Sequence, residues 1–195
     1  MNLKLIKAAT SENVSLNEAK VHLRVTDSDS DSQISMLIKA ARQDCENFTG
    51  RALASQDFEL ALDSFPSDKI TLPVPPVEKI LSIKYKDSDG IEYTLNTADY
   101  IFYNSVPAVV LPDYGTAFPV FSAYPAGAVR VSFTAGYKSA STDASLVMPE
   151  AIKQAILLLV GHYYDNREIV SVGNNVTELP YGIKALLMPY KVWSF

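Results

Sequence analysis

The sequence predicts an α+β fold, with a helical body built from N- and C-terminal segments around a β-rich, proline-punctuated insertion. Three observations carry this. Apolar residues recur at helical spacing from Leu16 to Phe48 and again after Pro149. Between about Gln56 and Tyr137 the period falls to two. Pro66, Pro73, Pro75, Pro76, Pro107, Pro112, Pro119 and Pro125 all stand in that middle region, where they keep strands short and loops stiff. The 195 residues suit a single domain over 1–195. Its helical parts are 15–50 and 149–190, its insertion about 56–137 and its tail 190–195.

Ser15 and Glu18 have capping-box spacing, so a helix opens at Leu16, carries Leu16, Ala19 and Leu23 on one face and ends near Val25-Thr26. The run Asp27-Ser28-Asp29-Ser30-Asp31-Ser32 favours caps over helix interior. A second helix starts within it. Ile34, Leu37, Ile38, Ala41, Cys45 and Phe48 make its apolar stripe; Lys39, Arg42, Gln43 and Glu46 make the other face; Gly50 closes it.

In the insertion, Phe58, Leu60 and Leu62 alternate with polar or small residues, as do Leu81, Ile83 and Tyr85, and Val129, Val131 and Phe133. Asp89-Gly90 reads as a hairpin turn leading to Tyr93 and Leu95. Asn104 to Gly127 has little period and is expected to be a long ordered excursion. Pro149 suits a first helical position, and Glu150 meets the positive end of the helix dipole. From Ala155 to Tyr164 that helix is apolar nearly all round, so it is expected at the centre, against the first two helices, with one flank near a subunit boundary. Asp165-Asn166-Arg167-Glu168 ends it. Ser171 to Thr177 reads as a polar loop, and a last helix runs from about Pro180 to Met188 before Pro189 breaks it.

Composition narrows the function classes. Hydrophobic residues at 48% and charged residues at 20% are globular usage. A formal net charge of -5 argues against tight nucleic-acid binding and suits a surface that DNA slides past. The N-terminus lacks a signal-peptide core, and the apolar run from Ala155 is about half the roughly 20 residues of a membrane span, so the reading is a chain made in a reducing cytoplasm, without membrane insertion. One cysteine, Cys45, excludes an internal disulfide and a Cys-rich metal site.

No catalytic residue, cofactor site or metal site is assigned. Asp27, Asp29 and Asp31 have the opening spacing of a calcium loop, but Ser32 and Ile38 stand where glycine and glutamate are required. Cys45 with His22 or His162 and Asp44 or Asp165 assembles on paper into a cysteine hydrolase set. Its place on the apolar stripe favours a buried thiol instead. The glycines form no phosphate cradle. Tyr100, Phe102, Tyr103, Tyr114, Phe118, Phe121 and Tyr124 are read as packing residues, the alternative being the aromatic groove of a monomeric ligand- or carbohydrate-binding module.

Five stretches, in order and at their separations, resemble the head–tail connector (head completion or adaptor) proteins of tailed double-stranded DNA phages and prophages. They are Ser15 to Val25 with Thr49-Gly50-Arg51-Ala52-Leu53; Leu72-Pro73 through Pro76-Val77 with Ile83 to Tyr85 and Asp89-Gly90; Val129 to Val131 with Phe133 to Tyr137; Pro149, Ile152 to Val160, His162-Tyr163-Tyr164 and Asn166-Arg167-Glu168; and Leu186-Leu187 with Pro189-Tyr190. The resemblance implies a structural protein of the virion neck at the head–tail junction. It would form a homo-oligomeric ring, commonly twelvefold, under the portal protein. That ring would extend the channel for double-stranded DNA and dock the tail or next neck protein.

Physical argument then places the contacts. Tyr190, Val192, Trp193 and Phe195 follow a helix-breaking proline and form a docking element for the portal or a neighbouring subunit, with fold-back onto the same subunit as the alternative. Arg167 and Glu168 flank the apolar helix as interface residues. Gly173, Asn174, Asn175 and Glu178 lie in the polar loop expected to line the channel, in preference to Asp27–Asp31.

Overall fold

The computed structural model describes residues 2–138, 141–166 and 179–193. In chain order the elements are β1 (Asn2–Lys7), α1 (Leu16–Leu23), α2 (Asp31–Thr49), β2 (Gln56–Leu62), β3 (Ile70–Leu72), β4 (Val77–Lys86), β5 (Glu92–Thr94), β6 (Tyr100–Tyr103), β7 (Ala108–Pro112), β8 (Val129–Ala135), α3 (Glu150–Asp165) and α4 (Tyr181–Leu187). The strands form two antiparallel sheets, in orders β1-β2-β8-β4-β5 and β3-β7-β6. The β-rich part is not a pure insertion, because β1 reaches it from ahead of the first helix.

The capping box forms as expected. Glu18 N–H donates to Ser15 Oγ at 3.2 Å, and Ser15 N–H donates back to Glu18 Oε2 at 2.8 Å. α1 stops earlier than the apolar pattern suggests, because Arg24 takes a left-handed conformation with φ 58° and closes it after Leu23. Lys153 of α3 pairs with Glu18 Oε1 at 2.5 Å, so the same carboxylate caps α1 and ties it to α3. Pro149 stands one position ahead of expectation, as the N-cap of α3 rather than its first residue.

Two apolar cores result. One joins the helices through Ile34, Ile38, Ile152, Ile156, Leu159 and Leu187; the other lies between the sheets through Leu60, Leu72, Val77, Ile83, Val110 and Phe133. Burying each such side chain contributes roughly 1.5–3 kcal/mol. α3 sits against α1, α2 and α4, so most of its apolar circumference is covered within the chain, and Leu158 stays exposed. In β4 the alternation breaks: register shifts between Val77 and Lys79 and between Ile80 and Ser82 turn Leu81 out to solvent while Ile83 stays buried. An extra residue in one strand reverses the facing of its neighbours, which residue types do not reveal.

The two cores meet at a polar seam. Arg42, expected on the outer face of α2, is buried there. Its Nε donates to Glu12 Oε2 at 2.7 Å and its Nη1 to Glu46 Oε2 at 2.5 Å. Glu46 Oε1 accepts from Leu53 N–H at 2.8 Å and from Gln56 Nε2 at 2.9 Å, joining α2 to the start of β2. Asn13 Nδ2 reaches the carbonyls of Leu53, at 2.7 Å, and Tyr137, at 3.0 Å. Gly136 ends β8 with φ +130°, and a Cβ there would fall 2.0 Å from the Ala54 carbonyl oxygen, so only glycine fits.

Two outcomes are expected. Glu46→Ala leaves Arg42 short of a partner and the Leu53 N–H unpaired, and should destabilise the protein by about 3 kcal/mol in urea unfolding. Glu92→Ala, which removes only an exposed pair with Lys84, should cost far less. Glu18 is held down at about 2, first by the Lys153 hydrogen bond and then by Ser15. A depressed carboxyl stabilises the fold fully above its ordinary value of 4.5, and that contribution fades as pH falls from there toward 2. Glu18→Gln should therefore flatten stability between those pH values, measured by thermal unfolding across an acid series.

Candidate assembly surfaces

The C-terminal tail is placed by the end of α2. Gly50 closes that helix in the left-handed region, with φ 68°. The carbonyl of Thr49 then accepts from Val192 N–H at 2.7 Å. Arg51 Nε donates to the Tyr190 carbonyl at 2.5 Å. Lys191 Nζ lies 5.0 Å from the centre of the Phe48 ring and 4.8 Å from that of Trp193. Tyr190 and Val192 thus lie back on their own subunit, while Trp193 remains 57% exposed. Pro189 does not end the helical path at once; a single 3-10 turn, Met188–Tyr190, carries the chain round toward α2. The described part of the tail turns the Trp193 ring outward from a backbone that is hydrogen-bonded inward. Phe195, Arg167, Glu168 and the loop residues Gly173, Asn174, Asn175 and Glu178 lie outside the described residues.

The groups that resemble a catalytic set in the sequence are not assembled as one. Cys45 is fully buried in the helical core, and burial, followed by the neighbouring Asp44 and Glu46 charges, pushes its thiol up to about 12. A thiol in that environment is a packing group, not a nucleophile. Asp44 accepts a hydrogen bond from the Tyr163 hydroxyl of α3. That phenol is pushed up, first by burial and then by Asp44. His22 Nε2 lies against Gly161, and His162 Nδ1 stands 3.3 Å from Asn166 Nδ2. In the acidic linker, Asp31 pairs with Lys20 at 2.6 Å and Asp27 accepts from Asp29 N–H at 3.2 Å. Among the described residues, no three His, Cys, Asp or Glu side chains converge as metal ligands.

Two aromatic residues of the long excursion, Phe118 and Phe121, pack on rings outside it. Phe65 lies 5.0 Å from Phe118 and 6.0 Å from Phe121, and Tyr85 lies 5.0 Å from Phe121. The excursion itself holds β7, a strand that its low periodicity does not reveal. Phe118 is buried in the β core, and Tyr100, Phe102 and Phe121 pack against it, whereas Tyr103, Tyr114 and Tyr124, expected as packing residues, stand exposed. An open cleft of about 500 Å³ lies where β1 approaches the end of α2, bordered by Leu5, Glu46, Arg51 and Phe58. Glu46 is already committed to three donors there. No helix among the described residues is long and apolar enough to cross a membrane.

Cys45→Ala should cost about 1 kcal/mol and leave assembly intact. The native thiol should stay unreactive to a thiol reagent until the protein unfolds, and fast native labelling would contradict this placement.

Solved chains from gene transfer agent particles share this fold. The chain is 24% identical to one described as the neck of an empty gene transfer agent (GTA) particle computed with C6 symmetry, with a TM-score of 0.79 over 100% of this chain and 97% of that one. It is 23% identical to another from the neck of a native GTA particle computed with C12 symmetry, with a TM-score of 0.75 over the same shares. A third, from the virion of a native GTA particle, matches with 23% identity and a TM-score of 0.76, again over 100% and 97%. A search among curated proteins by sequence gave no match. The family model described as head completion protein matches residues 12–193, nearly the whole chain, and the chain belongs to the head completion protein family.

Proposed function

We propose that the chain is a structural subunit of a virion neck, one copy of a ring between the portal and the tail. The observation that carries this is the family match over residues 12–193, and the full-length likeness of fold to chains of GTA necks supports it. Family membership makes the chain a structural component and not an enzyme. The ring extends the DNA channel, and the net charge of -5 gives passing DNA few phosphate anchors. Association is head to tail, because a ring of many identical subunits closes only through heterologous contacts.

Within that reading, Trp193 is the outward anchor of the tail. Tyr190 and Val192 fix its position on α2, and Phe195 extends the same apolar segment in sequence. Large aromatic groups held on rigid backbone dominate many interfaces. Arg167 and Glu168 are proposed as subunit contacts after α3, and Gly173, Asn174, Asn175 and Glu178 as the channel-facing loop; their sequence is the support.

The purified chain, mixed with its portal, should give a ring complex whose mass by native mass spectrometry is a multiple of the subunit mass. Trp193→Ala should leave unfolding unchanged and weaken joining to the portal at least tenfold. A chain that stays a monomer with portal present defeats the ring reading. Unweakened joining by Trp193→Ala defeats only the role given to the tail.

A further inference from the structure

The net charge of -5 is not spread evenly over the molecule. Directly paired residues in antiparallel strands share a face of the sheet. One face of the large sheet carries Phe58, Leu60, Ile83, Val131 and Phe133 into the β core. The opposite face is polar, and its charges fall into two regions. On β1 and β2 they balance in pairs, with Lys4 opposite Glu59 and Lys7 opposite Asp57. On β8, β4 and β5 they do not. Arg130 stands directly opposite Lys84, and Lys79 stands opposite Thr134. Like charges placed directly across a ladder repel.

Glu92 of β5, opposite Lys86, is the carboxylate that answers these cations. It pairs with Lys84 at 2.8 Å. Its carboxyl is held below the usual range, first by that hydrogen bond, with the Arg130 and Lys86 charges acting in the same direction. One carboxylate therefore faces Lys79, Lys84, Lys86 and Arg130. Lys79, Lys84 and Arg130 are exposed, while Lys86 Nζ lies 4.5 Å from the centre of the Tyr124 ring. Between the two ends of this row Ser82 pairs with Ser132. Lysine, arginine and hydroxyl side chains are the groups that take phosphate oxygens. Along β8 the row runs from Arg130 to Thr134, roughly 13 Å at a rise of about 3.3 Å per residue. A DNA strand carries a phosphate about every 3.4 Å along its axis, so both ends of the row reach one duplex. The paired positions of this face hold no large apolar side chain. A specific protein partner needs apolar or aromatic anchors, and phosphates do not.

We propose that the polar face of the large sheet is where the chain meets duplex DNA, with Lys79, Lys84 and Arg130 taking backbone phosphates. The contact is sequence-independent and weak, because few cations carry it and the rest of the chain is acidic. The inference rests on the reading of the chain as a subunit around the DNA path, and it names the anchors that DNA meets there. Three phosphate contacts hold a duplex at low salt and release it as salt rises, which suits DNA in transit.

The test measures binding of the full-length chain to a fluorescently labelled duplex of random sequence by anisotropy across a salt series. Three contacts predict a slope of log affinity against log salt of about -2.7. Lys79→Gln with Arg130→Gln should make that slope shallower by about 1.8 and lower low-salt affinity at least tenfold, with the unfolding midpoint retained. Lys39→Gln with Lys69→Gln makes the same charge change at exposed positions off this face and should leave binding within twofold of the parent. An equal loss in both variants reduces the effect to net charge and overturns the proposal. So does a parent chain that forms its ring with the portal, by native mass spectrometry, yet binds no duplex at low salt; the ring reading then stands. A parent chain that forms no ring overturns the reading beneath the proposal. If Lys79→Gln with Arg130→Gln binds duplex like the parent but joins the ring poorly, the face belongs to a neighbouring protein and the proposal fails.

Discussion

The Glu46 carboxylate is the point on which the two halves of the molecule depend. It sits in the last turns of α2 and takes donors from Arg42 on its own helix, from the backbone of Leu53 and from the side chain of Gln56 at the first position of β2. One helix residue therefore fixes where the chain leaves the helical body and where the first long strand begins. Arg42 extends the tie to Glu12, and Asn13 beside it holds the carbonyls of Leu53 and Tyr137. Four segments distant in sequence are gathered within a few residues of Gly136, where backbone passes too close for any side chain. Buried charges cost several kcal/mol each to desolvate, so this network adds less to stability than its contact list suggests. Its larger effect is geometric, because few other arrangements satisfy all of its donors at once.

That seam explains which parts of the structure are legible in the sequence. The helices are, because Ser15 with Glu18, Gly50 and the Ile34–Phe48 stripe are local signals that agree with the packing. The strands around Phe58, Ile83 and Val131 are legible for the same reason, with all three side chains buried as the alternation requires. Arg42 is not. Its spacing puts it beside polar residues on α2, and only the return of Glu12 and the approach of β2 turn that flank inward. β1 escapes a sequence reading because its pattern spans six residues and its partner strand lies about fifty residues later. Leu81 is misplaced by a bulge, a feature of strand pairing that no window of residue types encodes.

The surfaces are legible in part. The tail's aromatic content marks it as unusual, but its course depends on the end of α2, where the carbonyl of Thr49 takes up Val192 N–H. A helix terminus leaves carbonyls without partners, and here another segment supplies the donor. The outer face of β6 and β7 is hidden in the sequence, since alternation of Tyr100, Ile101, Phe102 and Tyr103 between two apolar faces looks like no alternation at all. A strand apolar on both sides reads as a buried strand, and only the structure shows that one side has nothing described over it.

The polar groups of the interior are occupied by the fold itself. Among the described residues, every buried side-chain nitrogen and oxygen has a hydrogen-bond partner. Asp44 is taken by Tyr163, Asp57 by Thr134 and Glu46 by three donors. An active site works the other way, holding polar groups convergent and partly unsatisfied until substrate arrives. Among the described residues, the large apolar groups left exposed include Trp193, Ile101, Tyr103, Leu5 and Ile6. A molecule whose hydrogen bonds close inward and whose apolar groups open outward is built to hold its shape against neighbours. That is the physical requirement on a part that must keep its place in a larger assembly while its partners bear on it from several sides.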